Sequence, residues 1–170
     1  MPADYFEVFG LPRHLTIDLK DLEKRFYTLS RKWHPDLFAR KSREEQNAAL
    51  ESSAILNDAY RTLKDHIART TYLLKLEGLD IGEQGTNDVP PDLLEEIFEL
   101  NMALEDDPDY APALAGFEEM RAGIDSELEQ RFAAWDARQD RAVLAELRNL
   151  LNRRKYISNL IDKANVPDRI

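Results

Sequence analysis

Apolar residues in this chain recur at steps of three and four, and nowhere do they alternate for long. Leu19, Leu22, Phe26, Leu29 and Trp33 step by three, four, three and four, which draws one stripe along a helix and excludes a two-sided strand. Only 6 glycines occur in 170 residues, while 33% of residues are charged and 43% hydrophobic, a balance that suits ordered helices rather than disorder. The fold class that follows is all-α.

The punctuation places the other elements. A short apolar segment over 4–9 offers Tyr5, Phe6 and Phe9 before Gly10 and Pro12 stop it. Asp18 is a candidate N-cap for the striped helix, and His34-Pro35 ends that helix because the residue before proline is pushed out of the α region. After a loop through Ala39 to Lys41, Ser42 with Glu45 spells a capping box and opens a helix to about Lys64. Its expected stripe is Ala48, Ser52, Ile55, Ala59 and Leu63, with Leu56 and Tyr60 beside it. A shorter helix from His66 to Leu76 ends at Gly78. The polar stretch Gly82 to Asp88, with two glycines, reads as a linker. Pro90-Pro91-Asp92 opens the next helix, Asp107-Pro108 restarts a long one to about Ala137, and the last runs from about Asp140 to before Val166-Pro167. Three helices with short joins predict an antiparallel bundle. The expected domains are therefore 1–78, a linker over 79–89, and a three-helix domain over 90–170.

Charge divides along the same line. Residues 20–43 carry eight bases (Lys20, Lys24, Arg25, Arg31, Lys32, Arg40, Lys41, Arg43) against Asp21, Glu23 and Asp36, whereas 77–130 carry seventeen acids and one base, Arg121. The net charge of −10 disfavours the whole molecule as a binder of nucleic acid or anionic membrane. Such asymmetry points to two modules facing different partners. The absence of cysteine removes disulfides, thiol catalysis and thiolate ligation of zinc or iron–sulfur clusters. His14, His34 and His66 form no i, i+4 pair, so neither a metal site nor a catalytic constellation is expected. No apolar run reaches a membrane-spanning length and no export leader is evident, so the expectation is a cytoplasmic protein. Nothing in the sequence demands self-association, and a monomer is expected.

One tripeptide carries more. His34-Pro35-Asp36 closes a basic amphipathic helix and precedes a second helix. By themselves His34 and Asp36 also read as capping residues. With Tyr5, the basic helix and Ala59-Tyr60-Arg61-Thr62-Leu63, however, they resemble the J-domain, the co-chaperone module that stimulates ATP hydrolysis by DnaK-like chaperones. Residues 54–78, and Tyr72-Leu73-Leu74 with Leu76 and Gly78 in particular, are similar to the segment that continues the J-domain in the HscB family. That resemblance implies a J-domain helical hairpin followed by a C-terminal three-helix bundle. It implies a co-chaperone of iron–sulfur cluster assembly, not an enzyme, with two partners: an HscA-type DnaK-like chaperone and the IscU-type scaffold protein. Pro35 would stiffen the loop, Asp36 and His34 would meet a guanidinium, and Lys24, Arg25, Arg31 and Lys32 would steer toward an acidic chaperone surface. The alternative is a J-domain protein that delivers another client to a general DnaK-type chaperone.

On the client side the family shows an apolar residue, Glu-Leu-Arg-Glu and, two residues on, Leu. Here Phe98-Glu99-Leu100-Asn101-Met102-Ala103-Leu104 keeps Phe98, Glu99, Leu100 and Leu104, while Asn101 and Met102 replace the Arg-Glu pair. The resemblance implies scaffold contacts at Leu94, Phe98 and Glu99. Met102 joins them by spacing, since 94, 98 and 102 share one side of a helix. The competing reading puts Leu94 and Phe98 in the bundle core. The Cys-rich zinc module of some eukaryotic members has no counterpart in this cysteine-free sequence, which fits the bacterial form better.

Overall fold

The computed structural model describes residues 4–81 and 89–165. The expected linker over 82–88 lies outside the described residues. Among the described residues seven α-helices follow in order: α1 Tyr5–Val8, α2 Leu19–Lys32, α3 Arg43–Lys64, α4 His66–Leu76, α5 Pro91–Asp106, α6 Ala111–Arg138 and α7 Arg141–Asn165, with a 3₁₀ turn Pro35–Phe38 between α2 and α3. No strand occurs among the described residues, and none of their helices is long and apolar enough to cross a membrane. The chain divides into two compact units between Leu73 and Leu74.

In the first unit α2 and α3 form the hairpin, and α1 packs on α3. Asp18 caps α2 by accepting from the amides of Lys20 and Asp21. Ser42 and Glu45 close their reciprocal box at the start of α3. Phe6, Leu15, Leu22, Ala59, Leu63 and Leu73 are fully buried, and Phe26 stacks on Tyr60 with ring centroids 4.2 Å apart. Two details of the expected stripes change. Leu19, in the first position of α2, is 52% exposed at the rim of a cleft beside Tyr60 and Lys64. On α3 the buried ridge runs through Ala49, Leu56 and Leu63, so Ala49 rather than Ala48 begins it. A seven-residue spacing keeps one ridge facing α2 and α1, and Ala48 is left exposed.

Polar groups tie this small core together. Asp4 is buried; it accepts from the Glu7 amide to cap α1 and from Arg13 Nε at 2.8 Å. Buried Arg69 donates from Nε to the Leu15 carbonyl at 2.8 Å and from Nη1 to the Leu63 carbonyl. A buried guanidinium is tolerated only when so satisfied, and here it joins α4 to the α1–α2 connection and the end of α3. Tyr72 stacks on Tyr5 at 4.5 Å, and its hydroxyl accepts the Tyr5 amide.

In the second unit α6 and α7 pack extensively, with α5 against α6. Phe117, Leu128, Leu144, Leu147 and Ile157 are fully buried. Gln139, at φ 50°, turns the chain between α6 and α7. Arg154 grips Asp125 with Nε 2.6 Å from Oδ1, and Arg131 pairs with Glu146, both across α6 and α7. α6 begins at Ala111, later than the Asp107-Pro108 start read from the sequence. Asp107 instead accepts the Asp109 amide on its side chain and the Tyr110 amide on its carbonyl, which closes a turn before the helix can start.

Candidate functional site

The His34-Pro35-Asp36 loop is built by local bonds. His34 takes an extended backbone, φ −63° and ψ 128°, as a residue before proline must. Pro35 then opens the 3₁₀ turn, and the Asp36 amide donates to His34 Nδ1 at 3.3 Å. The His34 carbonyl accepts from Leu37. At the far end Gln46 of α3 donates its amide to the carbonyls of Ala39 and Lys41. The loop is therefore fixed at both ends while its functional groups face outward: the side chains of His34 and Asp36 are 58% and 90% exposed, with Nδ1 and Oδ2 3.5 Å apart. Such an exposed donor-and-acceptor pair suits recognition of a charged fork on another protein, not buried acid–base work.

Around it lie features that the sequence reading did not single out. Tyr27 and Leu37, 54% and 62% exposed, line a cleft with Ser30, Arg31, His34 and Asp36. Their spacing on α2 and the 3₁₀ turn puts an apolar seat beside the charged pair. Tyr27 sits off the α2 stripe, which was the available signal. Among the expected bases, Lys24, Arg31 and Lys32 are exposed, and Lys32 Nζ lies 5.4 Å from the Trp33 ring centroid. Arg25 is employed internally: Nε pairs with Asp21 at 2.7 Å and Nη1 donates to the Phe9 carbonyl at 2.8 Å. These bonds brace α2 against the end of α1, while the side chain stays 42% exposed.

The other candidate surface is on α5. Ile97 is its buried residue, and Leu100 packs so closely on α6 that a Cβ on Gly116 would stand 2.8 Å from Leu100 Cδ1. With that face turned to α6, Phe98 is 64% and Met102 44% exposed; Glu99 is exposed and Leu94 half-buried. Phe98 is thus outside the bundle core, and solvent-facing aromatic and thioether groups one turn apart form an apolar patch. No cluster of three or more His, Asp or Glu among the described residues is arranged to hold a metal ion.

A family model of the DnaJ domain matches residues 4–72, which span α1, the hairpin and most of α4. A co-chaperone protein HscB homolog of Vibrio vulnificus is 35% identical over 161 residues, covering 92% of each chain. This chain belongs to the HscB family. The iron–sulfur cluster co-chaperone protein HscB of mouse is 31% identical over 160 residues, which cover 94% of this chain and 67% of the mouse protein. The crystal structure of human co-chaperone protein HscB superposes with a TM-score of 0.72 at 28% identity, covering 96% of this chain and 82% of the human one. HscB from Vibrio cholerae gives 0.65, again at 28% identity. The HscB likeness therefore extends through both units, including the bundle, where the sequence offered pattern more than identity.

Proposed function

We propose that this chain is a J-domain co-chaperone of iron–sulfur cluster assembly, which brings a cluster scaffold protein to a DnaK-like chaperone and stimulates that chaperone's ATPase. The observation that carries the reading is the exposed, internally braced His34-Pro35-Asp36 loop in a chain of the HscB family. Its work is coupling between sites: docking of the loop biases the chaperone toward hydrolysis, and the bond-breaking chemistry stays with the chaperone. Lys24, Arg31 and Lys32 lead the approach to an acidic chaperone surface, and Tyr27 and Leu37 seat an apolar side chain beside the loop. Arg25 contributes through its brace.

The J-domain comprises 1–78, 79–89 link it to the bundle, and 90–170 hold the client. Leu94, Phe98, Glu99 and Met102 form the scaffold contact; Met102 stands where the family has the Glu of its Arg-Glu pair and exchanges a charged contact for an adaptable apolar one. The protein acts in the cytoplasm as a monomer, an HscA-type chaperone and an IscU-type scaffold being its partners. Purified chain is expected to retain the scaffold in a pull-down, and Phe98→Ala with Met102→Ala to lose most of it. Retention of a different client and no scaffold would favour the general DnaK-type alternative.

A further inference from the structure

Residues 39–42 separate the 3₁₀ turn from α3, and a side chain of α3 reaches back across them. Gln46 donates its backbone amide to the Ser42 carbonyl at 2.9 Å, so the helix fixes where its side chain starts. From there Nε2 donates to the Ala39 carbonyl at 3.3 Å and to the Lys41 carbonyl at 3.1 Å. One nitrogen with two N–H donors and no charge spans both carbonyls, which is what a primary amide supplies. Short steps lead on to the acting pair: the Lys41 amide donates to the Phe38 carbonyl, and the Ala39 amide to the Asp36 carbonyl. From the α2 side Trp33 stacks on Phe38, with ring centroids 6.2 Å apart and planes 10° from parallel. We propose that Gln46 is a positioning residue for stimulation of the chaperone, its amide holding the loop in the geometry that presents His34 and Asp36.

The proposal rests on the co-chaperone reading above and adds to it a residue outside both the tripeptide and the basic helix. The two bonds lie at the surface, where water competes, so they contribute little to global stability. Their weight falls on docking, because a loop that is competent only part of the time binds in proportion to that fraction. Two substitutions separate this role from a merely structural one. Gln46→Glu keeps the shape, but its carboxylate donates nothing and would face two carbonyl oxygens; Gln46→Lys restores N–H donors. Near the N-terminus of α3 the helix dipole favours the glutamate and disfavours the lysine. Fold stability therefore ranks Glu above Lys, and the latch ranks Lys above Glu.

The test takes the full chain as wild type, Gln46→Glu and Gln46→Lys. Each is titrated against a DnaK-like chaperone while ATP hydrolysis is followed, and NMR reads amide exchange at Ala39 and Lys41. Gln46→Glu is expected to speed that exchange and to raise the concentration for half-maximal stimulation about twofold to tenfold, with the maximum at saturation kept. Gln46→Lys is expected to stay within about twofold of wild type in both, although its thermal midpoint is no higher than that of Gln46→Glu. Wild-type behaviour of Gln46→Glu in both readouts overturns the proposal. Faster exchange with unchanged half-maximal concentration shows a latch that docking does not use, and overturns the positioning role. A Gln46→Lys as impaired as Gln46→Glu removes N–H donation as the cause and overturns it too. Failure of the wild type to stimulate any DnaK-like chaperone overturns the co-chaperone reading and the positioning role with it, whatever the exchange rates show.

Discussion

At the scale of single residues, the structure separates bases that look equivalent in sequence. Arg25 bridges Asp21 and the Phe9 carbonyl, whereas Arg31 is exposed in the last turn of α2. Arg25→Ala is therefore expected to cost about 1 kcal/mol of stability, a figure kept low because the group is part exposed. Arg31→Ala should leave the thermal midpoint unchanged and slow association with the chaperone; paired melting curves and association rates check both. Arg25 was legible as a base but not as a brace, because its partner is a backbone carbonyl sixteen residues away, and carbonyls leave no mark in a sequence. Tyr72 gives a second residue-scale expectation. Burial raises its pKa above the ordinary 10.0, with Asp4 adding to the rise, although the Tyr5 amide bond pulls the other way. Stability held by the neutral phenol is whole below about pH 10 and is lost as pH climbs through the raised value. Tyr60 is raised as well, by burial first and Glu23 next. Tyr72→Phe should thus lower stability at neutral pH by about 0.5–1.5 kcal/mol, and should soften without abolishing the decline in denaturant midpoint above pH 10.

At the scale of elements, the close approach of α5 to α6 depends on Gly116, against which Leu100 rests. Gly116→Val is expected to cost about 1–3 kcal/mol by overpacking and to weaken scaffold binding by displacing α5. Leu100→Ala in the same chain should restore part of the stability, a coupling that a double-mutant cycle in denaturant measures. Helix existence and caps were largely readable: Asp18, the Ser42–Glu45 box, Gly78 and Pro91 each stand at the helix ends their chemistry assigned them. Those signals are local, so a sequence carries them whole. Features set by packing direction were not. The α3 ridge begins at Ala49 instead of Ala48, and Leu19 falls outside the core. The 3₁₀ turn after His34 was missed because four residues carry no periodicity to detect. On α5 the sequence could show two apolar faces; only the Leu100–Gly116 contact shows which one α6 covers.

At the scale of the whole molecule, a basic hairpin and an acidic bundle share one chain, and the net charge of −10 conceals both. Two modules with separate partners should be separable by mutation. Phe98→Ala with Met102→Ala is expected to leave basal stimulation of the chaperone's ATPase intact while removing the further rise produced by scaffold, read in the same assay with and without scaffold. Whether the braced His34-Pro35-Asp36 loop is the acting part is read from ATP hydrolysis by the DnaK-like chaperone with wild type and with His34→Gln. His34 is 58% exposed in its side chain, so the substitution should leave the helical circular dichroism and thermal midpoint unchanged. Stimulation by wild type and none by His34→Gln is the predicted result; equal stimulation by both would show that the loop is not the acting part.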